Sequence, residues 1–461
     1  MTVATQANEC IPALTDALIE RVRSLDYDEL PAHVVAMAKH CVLDWVGVAI
    51  AGSREPLVAI LLDEARAQGV NGEAAVLGLS QGVSTDWAAL INGASSHALD
   101  FDDVVSAMRG HPSVPILSAL FGAGEQQRAN GRAVIEAFVA GFEIACRVGS
   151  LMGDDHYGRG FHATGTVGTF AAAAACARLA DLDVRQWRHA FGLAGAQAAG
   201  LKCHFGTMTK PFHAGKAAAN GAFAVRLAAR GFTAHPQVLD AEQGFVEALT
   251  DTPDPDAARS AEGSFGITDV LFKYHAACYL THATIEAAKQ LRADPSLDIA
   301  RIESIRVVVP RGHLKVCNIA EPETGLQGKF SLRFTTALAL LRDETGEAMF
   351  NDDTVAEPDL VALRDRVTVE ASDTLANNYV SDVHITLDNG ETIGAIGDVS
   401  RSASEDRMPE QWQRLTDKFN ALVAPVLGPE RAEQLIDAIG SLETLADLTE
   451  LGALAAGRKI V

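Results

Sequence analysis

Apolar residues recur at helical spacing through most of the chain, and short polar, glycine-rich stretches break them up; this alternation predicts a helical protein with chemically dressed loops. Residues 11–52 read as two helices, with Thr15 as a cap for the first, Pro31 opening the second and Gly52 ending it. Further helices are predicted over residues 84–98, 114–125, 131–150, 166–180 and 184–199. Three polar insertions stand out: VVSAMRGHPSVP, then GDDHYGRGFHATGT with His156 and His162, then GLKCHFGTMTKPFHAGKAAANG over residues 200–221. In the third, Pro211 lacks an N–H and pushes the residue before it toward extended geometry. Lys210 is therefore expected on a turn, with His204 and His213 nearby, and the helix is expected to resume at Ala214. The start of such a helix favours an anion.

Near Asp251 the pattern changes. DTPDPDAARSAEG reads as a connector, and β-branched runs follow at residues 303–310, 366–372 and 381–395, the last with an Asn389-Gly390 hairpin signal. Helices at about 280–292, 329–343 and 358–365 lie between them, and helical spacing returns from about Ser404 to Val461. The expected fold is mainly α, a large all-helical domain built from both chain ends plus a smaller α+β lid domain. The boundaries are residues 1–266 and 405–461 for the helical domain and 267–404 for the lid. A chain of 461 residues suits two cores.

Composition narrows the partners. Apolar content of 48% with only 6% aromatic residues points to helices packed closely through small side chains. A net charge of −22 argues against nucleic acid and against an anionic membrane surface, and no apolar run is read as a membrane span. Seven cysteines without metal-ligand spacing suit a reduced compartment, so a cytoplasmic location is expected. The first residues show no secretory-signal pattern. Neither HExxH nor a CxxC pair is present, and no metal or cofactor is expected.

The candidate chemistry lies in the breaks between helices. Asp100, Asp102 and Asp103 cluster at a predicted helix C-terminus, which is electrostatically poor for carboxylates and calls for a local reason; at least one of them is expected to be solvated. His111 and His162 flank glycines on loops and offer proton transfer near neutral pH. Arg109 can hold a carboxylate with two parallel bonds. Lys210 and Lys273 offer local positive charge in an acidic protein, and Thr207 a hydroxyl. Cys278 is either a nucleophile or a buried apolar thiol. Two classes follow: an enzyme acting on a small carboxylate, or a non-catalytic carboxylate-binding protein. A cysteine-nucleophile hydrolase through Cys278 is a third.

Several separated motifs occur in one order: Asp100-Phe-Asp-Asp, Gly110-His-Pro-Ser, Gly160-Phe-His-Ala-Thr, Gly206-Thr-Met-Thr-Lys-Pro with His213-Ala-Gly, Lys273 ahead of Cys278, and Gly328-Lys-Phe-Ser331. Over nearly the whole chain this resembles the MmgE/PrpD family, which includes 2-methylcitrate dehydratase, cis-aconitate decarboxylase and iminodisuccinate epimerase. The resemblance implies the two-part fold above, a homodimer, and carboxylate chemistry without metal or iron–sulfur cluster. By motif position it implies Asp100, His111, His162, Lys210 and Lys273 as catalytic residues, with Arg109, Cys278 and Thr207 against the substrate. Cys278 stands where the decarboxylase has a histidine, and Val104 where decarboxylases and methylcitrate dehydratases carry threonine. Met108-Arg-Gly-His-Pro, Phe205-Gly-Thr-Met-Thr-Lys-Pro and Cys278-Tyr with His282 are similar to the epimerase branch. The expected activity is metal-independent lyase or isomerase chemistry that removes a proton next to a carboxylate of a small di- or tricarboxylate. Lys210, Lys273 and Arg109 would hold the negative charge; His111 and His162 would be acid and base, or one would work with Asp100.

Overall fold

A computed structural model describes residues 14–259, 264–342 and 344–456. The readings that fall on Cys10, on residues 260–263 of the connector and on residues 457–461 lie outside the described residues. The first part of the chain supplies α1 (Leu14–Arg23), α2 (Ala32–Gly52), α3 (Pro56–Ala67), a small hairpin of β1 (Ala74–Ala75) and β2 (Gly82–Val83), and α4 (Thr85–Ala98). It continues through α5 (Ser113–Gln127), α6 (Gly131–Gly158), α7 (Ala163–Leu179), α8 (Val184–Gly195), α9 (Thr209–Ala229), α10 (Phe245–Leu249) and α11 (Pro255–Ala258). Small residues set how closely these helices pack. A Cβ on Gly93 of α4 would lie 2.7 Å from the Cα of Gly215 on α9, so the two backbones touch where the helices cross. From that contact α4 leads forward to Asp100 and α9 leads back to Lys210.

The lid holds α12 (Tyr279–Arg292), β3 (Ile302–Pro310), α13 (Gly325–Gly328), α14 (Leu332–Leu341), α15 (Asp352–Val355), α16 (Pro358–Arg364), β4 (Val367–Ser372), β5 (Val380–Leu387) and β6 (Thr392–Asp398). Its sheet runs β4-β3-β5-β6, with β3 parallel to β4 and antiparallel to β5. Helices α12 and α14 pack together and against this sheet. β5 alternates buried and half-buried positions, as a strand covered on one face does. The β5–β6 pairing closes around Asn389-Gly390, with Gly390 at φ 80, as the hairpin signal predicts.

The chain then returns to the first domain. Helices α17 (Met408–Leu427) and α18 (Pro429–Gly440) pack on α2, and α19 (Leu448–Ala455) packs on α5. The mainly α fold with a small sheet portion is as expected. By length and composition α2 could cross a membrane, but 78% of its apolar window is buried within the fold. Its polar residues also face protein: His40 Nδ1 lies 2.9 Å from Gln411 Oε1, and Asp44 accepts a 2.6 Å bond from Lys418, both on α17.

Four local expectations are corrected. Thr15 lies inside α1, where its hydroxyl donates to Asp240 rather than capping the helix. Helix α6 continues to Gly158 across a break at Gly153 (φ 62, ψ −169), so His156 is helical and buried, 2.8 Å from the hydroxyl of Thr166. Helix α8 stops at Gly195, short of the predicted end. Lys210 lies in the first turn of α9, which begins at Thr209 rather than at Ala214. The reason is positional: a first-turn N–H has no intrahelical acceptor, so Pro211 sacrifices no hydrogen bond there.

Candidate functional site at the domain junction

Five segments converge where the lid meets the helical domain. Helix α4 ends with His97 in its last turn, and the chain leaves it through Leu99 and Asp100, the latter with φ 50. A bridge between Val104 and Leu271 carries the lid-side strand past this segment and sets Lys273 beside Asp100. His111 follows a second bridge, Val105 to Gly110. His162 is the residue before α7, held by a 3.0 Å bond from its N–H to the carbonyl of Gly200. Lys210 comes from the first turn of α9.

Asp100 is the electrostatic centre. Its Oδ1 accepts from Lys210 Nζ and from Lys273 Nζ, each at 2.8 Å, while Lys273 also donates to the Asp100 carbonyl at 2.7 Å. Lys273 is fully buried and Asp100 nearly so. Burial alone would raise the Asp100 carboxyl, but the two ammonium groups outweigh it and hold it far below the usual carboxylate range. Lys273 is raised for the reciprocal reason: burial works against its charge, and Asp100 with Asp102 more than compensates. Asp100 is thus a fixed anion and a poor proton carrier near neutral pH. The phenyl rings of Phe205 and, from the lid, Phe330 lie 5.4 and 5.6 Å from Lys210 Nζ.

The imidazoles form the other half. Asp102 Oδ2 lies 2.8 Å from His97 Nδ1 and 2.9 Å from His111 Nδ1. The Asp102 hydrogen bond assigns Nδ1–H to His97 and leaves its Nε2 buried and free to accept; His111 Nδ1 stands near the same oxygen without hydrogen-bond geometry, and its Nε2 lies 3.9 Å from Asp100 Oδ1. His162 stacks on His97 at 5.7 Å between centroids, and its Nδ1 is 3.1 Å from Nδ1 of His213. Burial lowers all four: His97 to about 3, His213 to about 4, and His111 and His162 below the usual range. They are neutral at neutral pH.

The acidic triplet is buried throughout; the expectation of a solvated member is corrected. The local reason that a helix C-terminus tolerates it is a ring of lysines. Lys329 donates to the carbonyl of Leu99 and Lys418 to that of Phe101, in addition to the two lysines on Asp100. Asp103 sits apart, bonded to Ser113, and burial, then the Asp44 charge, pushes its carboxyl up to about 8. It is a neutral carboxylic acid in the folded protein near neutral pH.

The remaining candidates lie outside this cluster or at its edge. Arg109 turns outward and pairs with Asp154, its Nε 2.6 Å from Asp154 Oδ1. Thr207 is exposed and donates to the carbonyl of His204. Cys278 is half-buried at the start of α12; the influence of the neighbouring Cys317 thiol, with Lys273 nearby, lowers its pKa. His97, Asp102 and His213, by contrast, sit in the centre without having been assigned a role from sequence. The signal was present for the first two, a histidine in the last turn of a helix beside an acidic triplet, but the pairing needs the fold.

His97, Asp100, Asp102 and His111 bring ligand-type atoms within 4.8 Å of one another, close enough to raise the question of a metal. The chemistry of the set fits one poorly. Lys210 and Lys273 already hold the Asp100 carboxylate, and a divalent ion sharing Asp100 Oδ1 would face two ammonium groups 2.8 Å from that same atom. The cations of this site are lysines.

Fold and site together define a class: a two-domain, mainly helical protein with a buried lysine, carboxylate and imidazole centre at the seam between helical domain and lid. The chain belongs to the MmgE/PrpD family, whose N-terminal domain model matches residues 16–258 and whose C-terminal domain model matches residues 275–444. Among curated proteins it is similar to a cis-aconitate decarboxylase-like protein of Aspergillus oryzae, 28% identical over 96% of this chain and 97% of that one. It is also similar to cis-aconitate decarboxylases of Aspergillus terreus, 27% identical over 98% and 97%, and of Homo sapiens, 26% identical over 97% and 95%.

Proposed function

We propose that this protein is a lyase or isomerase that removes a proton from carbon adjacent to a carboxylate of a small di- or tricarboxylate, without a metal. One observation carries the reading: neutral imidazoles steered by Asp102 open onto the same buried point at which Lys210 and Lys273 converge. Removing such a proton builds negative charge on the substrate carboxylate, and fixed ammonium groups in a water-poor site stabilise that charge. His111 and His162 are the proton carriers, His111 backed by Asp102 and His162 by His213. Asp100 acts as the counter-anion that pre-positions both lysines.

The same carbanion can be reprotonated on its other face or expel a β-hydroxyl; in a decarboxylation the carbanion is instead formed by loss of CO₂, whose bonding electron pair stays on carbon and takes a proton from an imidazolium. Epimerisation of an iminodisuccinate-type substrate is the first reading. It is supported by Val104 and Cys278, which remove the hydroxyl and the imidazole of the decarboxylase pattern. Decarboxylation or dehydration is the second reading, and the relatives named cis-aconitate decarboxylase favour decarboxylation. A carboxylate binder without turnover would need the cations but not two backed imidazoles. The proposal includes a cytoplasmic homodimer, checked by light scattering and fractionation.

Proton NMR in D₂O with iminodisuccinate, 2-methylcitrate, citrate and cis-aconitate separates the outcomes. Loss of an α-proton signal without loss of substrate supports epimerisation, and new vinylic signals support elimination or decarboxylation. Full turnover by Lys210→Ala or His162→Ala on the same substrate would remove the mechanism.

A further inference from the structure

The backbone around Asp100 is held in an unusual way. The carbonyls of Leu99, Asp100 and Phe101 are each taken by the ammonium of a different lysine: Lys329 at 2.5 Å, Lys273 at 2.7 Å and Lys418 at 2.6 Å. All three lysines are buried. They come from three stretches far apart in sequence, the lid, the junction before α12, and α17 of the returning C-terminal part. A helix C-terminus leaves carbonyls without partners and attracts cations, so one lysine here would be ordinary capping. Three, from separate stretches of the chain, exceed what capping requires. The residue between them, Asp100, has φ 50, a left-handed conformation uncommon for any residue but glycine.

Lys329 is the cross-domain member. Within the lid its ammonium is anchored by Glu347 Oε2 at 2.6 Å, and its backbone carbonyl accepts a 3.0 Å bond from the N–H of Cys278. Across the seam it reaches Leu99. Phe330, the next residue, lies against the Lys210 ammonium. One lid segment therefore touches both the backbone next to Asp100 and the lysine that binds its carboxylate.

We propose that Lys329 is a positioning residue whose hold on the Leu99 carbonyl fixes the left-handed backbone of Asp100, so that its carboxylate meets Lys210 and Lys273. The role rests on the reading of Asp100 as part of the reacting centre. Lys273 and Lys418 hold the segment from its other sides; Lys418, which also donates to Asp44 and to the Lys273 carbonyl, is fixed within the core.

The test compares the full-length protein with Lys329→Met by hydrogen exchange and by steady-state kinetics. The expected result is exchange about tenfold or more faster over residues 99–105, with α2 and α5 unchanged, and kcat about tenfold or more lower with KM nearly constant. A loss of general stability would speed exchange throughout and leave kcat of the folded fraction intact. Unchanged protection over residues 99–105, or lost protection with unchanged kcat, overturns the proposal. Glu347→Gln, which removes only the charge anchoring Lys329, should move both readings the same way by a smaller factor, and it decides the matter if Lys329→Met does not fold. Should the wild-type protein turn over none of the tested carboxylates, the functional reading fails, while the exchange measurement still accepts or rejects the clamp.

Discussion

The two halves of the centre are built on opposite principles. The lysine half is fully charged: Lys210, Lys273 and Asp100 form a closed ion cluster whose partners lie 2.8 Å apart, reached from three separated parts of the chain. The imidazole half is kept uncharged by burial, and only Asp102 within it is an anion; burial alone would raise its carboxyl, but the neighbouring His111 and His97 rings hold it well below the usual carboxylate range. The first half is held together by its ion pairs. The second can gain and lose a proton without moving a backbone atom. That division suits chemistry in which charge must be held in place while a proton travels.

The contrast predicts where mutation hurts folding and where it hurts only turnover. Lys273→Met should be the most damaging single change, because it leaves the buried Asp100 charge with one cation fewer and opens the carbonyl clamp. Breaking a buried ion pair from one side costs about 3–5 kcal/mol, and loss of one charge-stabilising donor lowers kcat by about 10²–10³-fold. Denaturant midpoints and kinetics should both record it. His111→Asn comes next: a fall in turnover of about 10²–10⁴-fold with only a small change in denaturation midpoint, since a neutral ring loses no net charge. If His111→Asn destabilised the protein as much as Lys273→Met, the division into a charged frame and a neutral proton carrier would be wrong.

How much of this was readable in the chain depends on range. The strands near residues 303–310, 366–372 and 381–395, the Asn389-Gly390 hairpin and the long apolar α2 were legible because each is written in local periodicity. Asp100, His111, His162, Lys210 and Lys273 were legible as candidates because polar groups interrupt alanine-rich helices. Their arrangement was not. Lys418 reaches Phe101 across 317 residues and Lys329 reaches Leu99 across 230, and nothing local marks either lysine as buried. The placement of Lys210 failed for a local reason, since Pro211 breaks a helix interior but is tolerated in its first turn. The outward pairing of Arg109 with Asp154 was not legible, because a bidentate side chain looks alike in sequence whether it faces a cleft or a surface carboxylate.

A smaller effect sharpens the contrast from just outside the centre. Asp103 has a folded-state pKa raised to about 8, burial being the main cause, against an ordinary value of 3.8. A group raised on folding contributes stability that is complete below the unfolded pKa and is lost as pH climbs through the folded value. Wild-type stability should therefore lose this contribution progressively between about pH 4 and pH 8. Asp103→Asn keeps the shape, cannot ionise, and should gain on the wild type as pH rises through that window, levelling off above it. Denaturation at pH 5 and pH 8 checks the sign; a variant equally displaced at both would show that Asp103 is ionised in the folded protein.

The smallest expected effect belongs to Arg109, and it separates a residue that resembles part of the machinery from one that is part of it. Its guanidinium is partly exposed, and its partner Asp154 is almost wholly so, with 92% of the side chain accessible. An ion pair in that setting is worth roughly 0–1 kcal/mol, since solvent already screens both charges. Arg109 also occupies a left-handed position, φ 55, and donates to the carbonyls of Ala107 and Gly149, so its backbone shapes the turn that leads into His111. Arg109→Ala should consequently shift the denaturation midpoint slightly and raise KM by no more than about tenfold with kcat nearly preserved. A fall in kcat comparable to that of His111→Asn would instead mean that Arg109 swings away from Asp154 onto a substrate carboxylate, which would place a third cation on the charged half of the site.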